Sequence, residues 1–320
     1  MEKVRKIVST VLAERKVDTI YFVGCGGSLV GFYPAKYFLN CEASHLKTGY
    51  MNANEFVYAT PKEINENTVV ILASQRGNTP ETVEACRVAN KKGAVTIGLT
   101  FQVPSPLSEA AQYVILYEFG DDSIVENQKS SYALKLAVEF LKQTDGYDGY
   151  DKMLDGLAKL HDIVAKAKKG IVPYAIKYAW EFKDDSVIYT MGSGGSWGSA
   201  HQESICIFME MQWINSSVIH SGEYFHGPFE ITDKNMAFLM LKSSGRTRYL
   251  DDRALSFMGK FNNRCMIMDG MDYGIGDLGE VSEYLDPLFH TNVIRVFNSL
   301  LAEVRNHPLS VRRYMWKFPY

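Results

Sequence analysis

The chain carries one plan twice. DTIYFVGCGGS (18–28) returns after the midpoint as SVIYTMGSGGS (186–196). At the same spacing TVVILASQRGNT (68–79) lies over NMAFLMLKSSGRT (235–247), with Gly77 above Gly245 and Thr79 above Thr247. AVTIGLT (94–100) then falls over NRCMIMD (263–269) with a slight shift at the edges. Each copy reads as strand, Gly-Gly-Ser loop, helix, strand, Ser-rich turn, helix, strand, so two copies of one supersecondary unit are expected.

Short apolar strands alternating with helices are the pattern of parallel βαβ units. Strands are expected at 19–24, 68–73, 95–99 and 113–116, then at 186–191, 236–242 and 264–268. Helices are expected at 2–15, 28–40, 79–92, 128–143 and 151–168, then at 172–183, 197–213, 247–260 and 288–305. The segment 144–150 reads as a turn, and the helical, charged stretch 145–185 holds the domain boundary. The expected architecture is two α/β sandwiches with parallel sheets, 1–150 and 151–320, related by duplication.

The 320 residues suffice for two domains at ~150 residues each. With 46% hydrophobic and 22% charged residues the chain is ordinary globular, not disordered or collagenous. A net charge of −3 offers no global field for nucleic acid or membrane phosphates, so an anion would need a local device. The start, MEKVRKIVSTVLAERK, lacks a signal peptide's apolar core, and no apolar run reaches the ~18 residues of a membrane span. The cysteines (Cys25, Cys41, Cys86, Cys206, Cys265) are odd in number and form no CxxC pair, which fits free thiols. The expectation is a soluble, cytoplasmic protein.

A strand ending in Gly24-Cys25-Gly26-Gly27-Ser28 before a helix exposes backbone N–H groups beside a helix N-terminus, which favours an anion. Ser74-Gln75-Arg76-Gly77-Asn78-Thr79-Pro80 repeats the device at the next strand, adding hydroxyls. Two such loops at the carboxyl edge of a parallel sheet suit a sugar phosphate. The plainer reading is a Gly-rich turn present only for tight packing. A dinucleotide site is the weaker alternative: the spacing Gly24, Gly26, Gly31 is irregular, and HLKTGYMN (45–52) offers no acidic residue.

At these residues the chain resembles the sugar isomerase (SIS) family, whose phosphosugar sites lie on doubled α/β domains. Arg76 departs from that family's usual serine, although arginine can bind phosphate with two donors. The segments ICIFMEMQWINSSVIHSGEYFHGPFEI (205–231) and NHPLSVRRYMWKFPY (306–320) resemble the fructosamine-6-phosphate deglycases, relatives of the isomerase domain of glucosamine-6-phosphate synthase. The resemblance implies two tandem SIS domains, each a three-layer αβα sandwich. It implies cleavage of a phosphorylated Amadori adduct by water to glucose 6-phosphate and an amine, without a cofactor. A phosphosugar isomerase, or a phosphosugar-binding protein without catalysis, is the alternative within the same fold.

That chemistry needs a carboxylate base and a proton donor. Glu203 and Glu210 lie seven apart on the expected 197–213 helix, hence on one face, with Ile205, Ile207, Phe208 and Met209 making the surroundings apolar. By resemblance Glu210 is the general base and His226, in EYFHGP, the acid–base histidine, which implies a homodimer with a shared site. Glu203 matches a further acidic position, with a structural ion pair as its plainer reading. Ser28, Ser74, Gln75, Arg76 and Thr79 are phosphate candidates, joined by Ser131 in ENQKSSYALK, for which N-capping is the plainer reading. Arg313 stands near the place of the isomerases' catalytic lysine, so no sugar Schiff base with the enzyme is expected. Arg312 and Arg313 could clamp phosphate or carboxylate. His220, Glu223 and His226 match no zinc spacing, and no metal is expected.

Overall fold

Thr19–Gly24, Thr68–Ala73 and Val95–Thr100 are buried at all six of their positions, as continuous apolar runs must be when both faces of a sheet are covered. They are β1, β3 and β4 of the first unit, Met1–Ala158, in a computed structural model that describes residues 1–319. Around them the chain runs α1 (Glu2–Glu14), α2 (Gly26–Val30), α3 (Tyr33–Glu42), β2 (Lys47–Asn52), α4 (Ala53–Tyr58), α5 (Pro80–Lys91), α6 (Pro106–Ala110), β5 (Tyr113–Leu116) and α7 (Lys129–Thr144). The five strands are parallel, in the order β2-β1-β3-β4-β5.

Alternate strand residues face opposite layers. Tyr21, Val23, Val70 and Leu72 pack with Phe56 of α4, Val83, Cys86 and Ala89 of α5 and Leu107 of α6. The intervening Ile20, Phe22, Val69 and Ile71 are equally buried, and the Phe22 and Phe32 rings meet at 5.4 Å.

Helix α8 (Tyr150–Gly170) leads into the second unit, which begins at Lys159. There follow α9 (Val172–Phe182), β6 (Ile188–Gly192), α10 (Ser196–Gln202), a π-helix (Glu203–Gln212), β7 (Val218–His220), β8 (Ala237–Lys242), α11 (Arg248–Met258), β9 (Cys265–Asp269), α12 (Ser282–Val293) and α13 (Arg295–Val304). Its parallel sheet has the order β7-β6-β8-β9. Strand for strand this repeats β2-β1-β3-β4, so the sequence repeat is a repeat of topology; β5 is an addition of the first unit. Among the described residues no helix is long and apolar enough to cross a membrane.

Several expectations need correction. The expected strands omitted β2, an edge strand with no buried position, and β7, which is three residues long. The expected helix 28–40 is two helices, because α3 starts afresh with Pro34 in its first turn. The expected helix 288–305 is also two: α12 begins earlier, at Ser282, tolerates Pro287, and gives way to α13 at Ile294.

The turn after β3 is set by Gly77. Its φ is +69°, a Cβ there would overlap the Ser105 hydroxyl, its N–H donates to Ser74 O at 3.1 Å, and its carbonyl accepts from Leu107 N at 2.8 Å. Gly77→Ala should therefore cost about 2 kcal/mol in a denaturant melt, and an unchanged midpoint would contradict this account.

Candidate active site

In the first sheet β1 connects towards β2 on one side and β3 towards β4 on the other, so the gap between β1 and β3 is the switch point where parallel sheets open a crevice. Gly24 stands opposite Ala73, so Cys25 with the start of α2, which begins at Gly26 rather than at the expected 28, and the loop 74–79 leave that edge side by side. The buried Ser74 hydroxyl pairs with Thr79 Oγ1 at 2.8 Å and accepts from the Thr79 N–H at 3.2 Å, and Thr79 leads into Pro80 and α5. Gln75 O accepts from Phe101 N and Thr100 Oγ1, both at 3.1 Å. The Gln75 and Arg76 side chains are exposed, and Ser28 is half-buried in α2.

Ser131 needs correction as a ligand-binding candidate. It has no exposed surface, and its hydroxyl donates to Val125 O at 2.6 Å, fixing the start of α7 from within the core. The residue of that segment which reaches the loops is Lys129, whose Nζ donates to Gly27 O at 2.7 Å. It lies in a slot that exists because Gly31 lacks a Cβ: one placed there would be 2.5 Å from Lys129 Cε. Sequence reasoning missed Lys129. The signal was a lysine at a helix N-terminus, where the dipole disfavours it, so that its charge answers to another partner.

In the second unit the counterpart loop, Ser243–Thr247, is filled from within. Ser243 N donates to Asp251 Oδ2 at 2.8 Å. Ser244 N and Oγ donate to Asp286 Oδ2 at 2.7 and 2.9 Å. Arg246 N and Nε donate to the two oxygens of Glu283 at 3.2 and 2.7 Å. A Cβ on Gly245 would overlap Glu283. Asp286 is completely buried, and burial pushes its carboxyl up to about 8 against the Ser244 donors. The sequence copy thus keeps the Ser-Gly-Thr frame while acids from α11 and α12 take the anion's place.

The expectation that Glu203 and Glu210 share a face also needs correction. The α-helix ends at Gln202 and continues as a π-helix over Glu203–Gln212. Bonds from i to i+5 put more residues in each turn than the ~3.6 of an α-helix, so seven residues no longer complete two turns. Glu203 turns inward, 3% exposed, where Oε2 accepts from Asn298 Nδ2 of α13 at 3.2 Å while Oε1 has no hydrogen-bond partner among the described residues. Glu210 is half-buried and meets the C-terminal tail: Arg312 Nε lies 2.9 Å and Nη2 2.8 Å from its Oε1. Burial pushes Glu210 above the usual carboxylate range, and Arg312 draws it back in part. Of the residues expected to make its surroundings apolar, Phe208 is buried but Met209 is exposed.

Arg313 lies with its guanidinium 4.3 Å from the centre of the Trp213 ring. His226 is exposed on a loop anchored by the buried Tyr224, whose hydroxyl meets Thr232 Oγ1 at 2.6 Å. The nearby His220 is half-buried and accepts the Gly222 N–H on Nδ1 at 3.0 Å.

Burial pushes the Glu203 carboxyl from 4.5 up to about 8. The folded chain then holds a proton that the unfolded chain releases, so stability present below about pH 4.5 is lost as the pH rises towards 8. Glu203→Gln, permanently neutral, should gain stability relative to the parent chain between those limits in denaturant melts; a constant difference would contradict the assignment.

The SIS domain family matches residues 14–141. Fructosamine deglycase FrlB of Bacillus subtilis (strain 168) is 41% identical over 99% of this chain and 98% of its own length. The fructoselysine 6-phosphate deglycase of Escherichia coli (strain K12) is 27% identical over 86% of this chain and 78% of its own. Among solved structures, a Salmonella typhimurium LT2 protein assigned provisionally as a phosphosugar isomerase superposes with a TM-score of 0.97 at 51% identity, covering 100% of this chain and 98% of that one. The chain belongs to the SIS-domain family, in the branch of the fructosamine deglycases.

Proposed function

We propose that this chain is a fructosamine-6-phosphate deglycase, converting a phosphorylated Amadori adduct and water into glucose 6-phosphate and a free amine. The observation that carries the reading is its likeness, along the whole chain, to a fructosamine deglycase. The first unit supplies the phosphate cradle from Ser28, Ser74, Gln75, Arg76 and Thr79, with the Lys129 ammonium beside the glycine loop. Glu210 and His226 carry the acid–base roles.

Glu210 removes a proton from C1 of the ketosamine while His226 protonates the C2 oxygen, giving an enaminol. Glu210 then returns the proton to C2, which leaves an iminium at C1 whose N–H proton goes back to His226, giving the imine. Water adds to that imine, its oxygen stays on C1 as the aldehyde, and its two protons end on the nitrogen, which leaves as the free amine. The half-buried setting of Glu210 raises its basicity, as abstraction from carbon requires. Each of the two units, divided between Ala158 and Lys159 rather than at the expected 150/151, is one SIS domain, a reading supported by their matching strand orders. The exposed position of His226 suits a homodimer in which that imidazole enters the partner's site. The reaction is hydrolytic and needs no cofactor, in keeping with a cytoplasmic enzyme.

The test is release of glucose 6-phosphate from fructoselysine 6-phosphate and fructoseglycine 6-phosphate, coupled to a dehydrogenase in the presence of a chelator. Chelator-resistant release is expected from at least one substrate; no release, with fructose 6-phosphate still bound, would leave an isomerase or a binding protein. Glu210→Gln should lower kcat about a thousandfold with phosphosugar binding retained. Ser74→Ala should instead raise KM roughly tenfold, because it removes a donor from the phosphate cradle.

A further inference from the structure

The residues that follow α13 fold back onto the end of the π-helix. Gln212 Nε2 donates to His307 O at 2.8 Å, and the Trp213 and His307 rings meet at 4.6 Å. Arg313 covers the other partner of that contact, with its guanidinium 4.3 Å from the Trp213 ring centre. These contacts bring Arg312, 8% exposed, onto Glu210. Every nitrogen of its guanidinium has a named acceptor: Nε and Nη2 hold Glu210 Oε1, and Nη1 donates to Leu309 O at 2.7 Å and Val311 O at 2.8 Å. Lys317 Nζ in turn donates to Arg312 O at 2.5 Å. An arginine–carboxylate fork ordinarily engages both oxygens of the acid. Here both nitrogens converge on Oε1.

We propose that Arg312 is the positioning residue of the catalytic base, fixing the Glu210 carboxylate by Oε1 so that Oε2 is the oxygen that takes and returns the substrate proton. The proposal rests on the reading of Glu210 as base. It makes the C-terminal tail part of the reaction machinery through a carboxylate the tail itself does not supply. A base that is free to rotate would present either oxygen, in several rotamers. One held at Oε1 and oriented by a locked guanidinium starts near the geometry of proton abstraction.

The charge environment agrees. Burial raises Glu210 and Arg312 opposes that rise, so the arginine also keeps the base ionised at lower pH. The elements packed on the π-helix carry His201 on α10 and Tyr189 on β6; α13, which reaches it through Asn298, carries Arg295 and Glu303, and Arg305 just beyond α13 donates to Gln212 O at 3.5 Å. On the tail His307 and Arg313 lie against Trp213, and Lys317 lies on Arg312 O. Among the described residues Arg312 alone of these is in hydrogen-bond contact with Glu210.

The experiment compares Arg312→Gln, Arg312→Lys and Glu210→Gln with the parent chain in glucose 6-phosphate release from a fructosamine 6-phosphate, across roughly pH 5 to 9. In Arg312→Gln the acid limb of kcat should move up by about one pH unit, because burial then acts on Glu210 unopposed. Its kcat on the plateau should fall at least about tenfold with KM little changed. Arg312→Lys keeps the charge but not the two-nitrogen grip, so its acid limb should return towards that of the parent while kcat stays depressed. A superimposable acid limb in Arg312→Gln, or a rise in KM with kcat intact, would overturn the proposal, the latter making Arg312 a substrate-binding residue. If the glutamine variant does not fold, the lysine variant decides alone: parental kcat overturns the positioning role. Full turnover in Glu210→Gln would instead remove the base assignment, a result separable from any of these.

Discussion

A parallel strand cannot return to its neighbour by a tight turn; the chain must cross over the sheet face and come back to the same end. The layout of both units follows from that constraint. It covers both faces of β1, β3 and β4 with helices, which is why those strands are apolar at every position. It also gathers the loops after every strand at one edge, where Gly24 and Ala73 end side by side and their loops open next to helix N-termini. The same constraint acts on the second sheet, whose strands follow the same order.

The two copies have parted at the level of side chains rather than backbone. In the first unit the Ser74 and Thr79 hydroxyls pair with each other and a lysine closes in on the glycine loop. In the second, the corresponding serine and arginine donors are taken by Asp251, Asp286 and Glu283. A backbone frame that presents N–H groups accepts a carboxylate from its own chain as readily as an external anion, since the electrostatics are the same. An acid planted on a neighbouring helix is enough to fill such a loop from within its own chain.

The π-helix has a comparable effect on two acids. By widening the turn after Gln202 it separates two glutamates that an α-helix would have stacked. One goes into the core beside Asn298, where burial holds it neutral; the other stays half-exposed under the arginine of the tail. Two carboxyls from one short segment thereby acquire different protonation behaviour from their surroundings alone.

Most of the strand positions, the repeated loops and the parallel α/β class were legible in the amino-acid order, because apolar runs, glycine turns and residue spacing are local signals. The edge strands β2 and β7 were not, having little apolar pattern to show. Nor was the direction of Ser131, which points into the core rather than to a ligand, or the divergence of Glu203 from Glu210. The pairing of Arg312 with Glu210 spans 102 residues, and that of Lys129 with Gly27 likewise 102. Such contacts depend on where the packed layers bring distant segments together, a property of the folded sheet and its crossovers that residue order determines only through the tertiary structure.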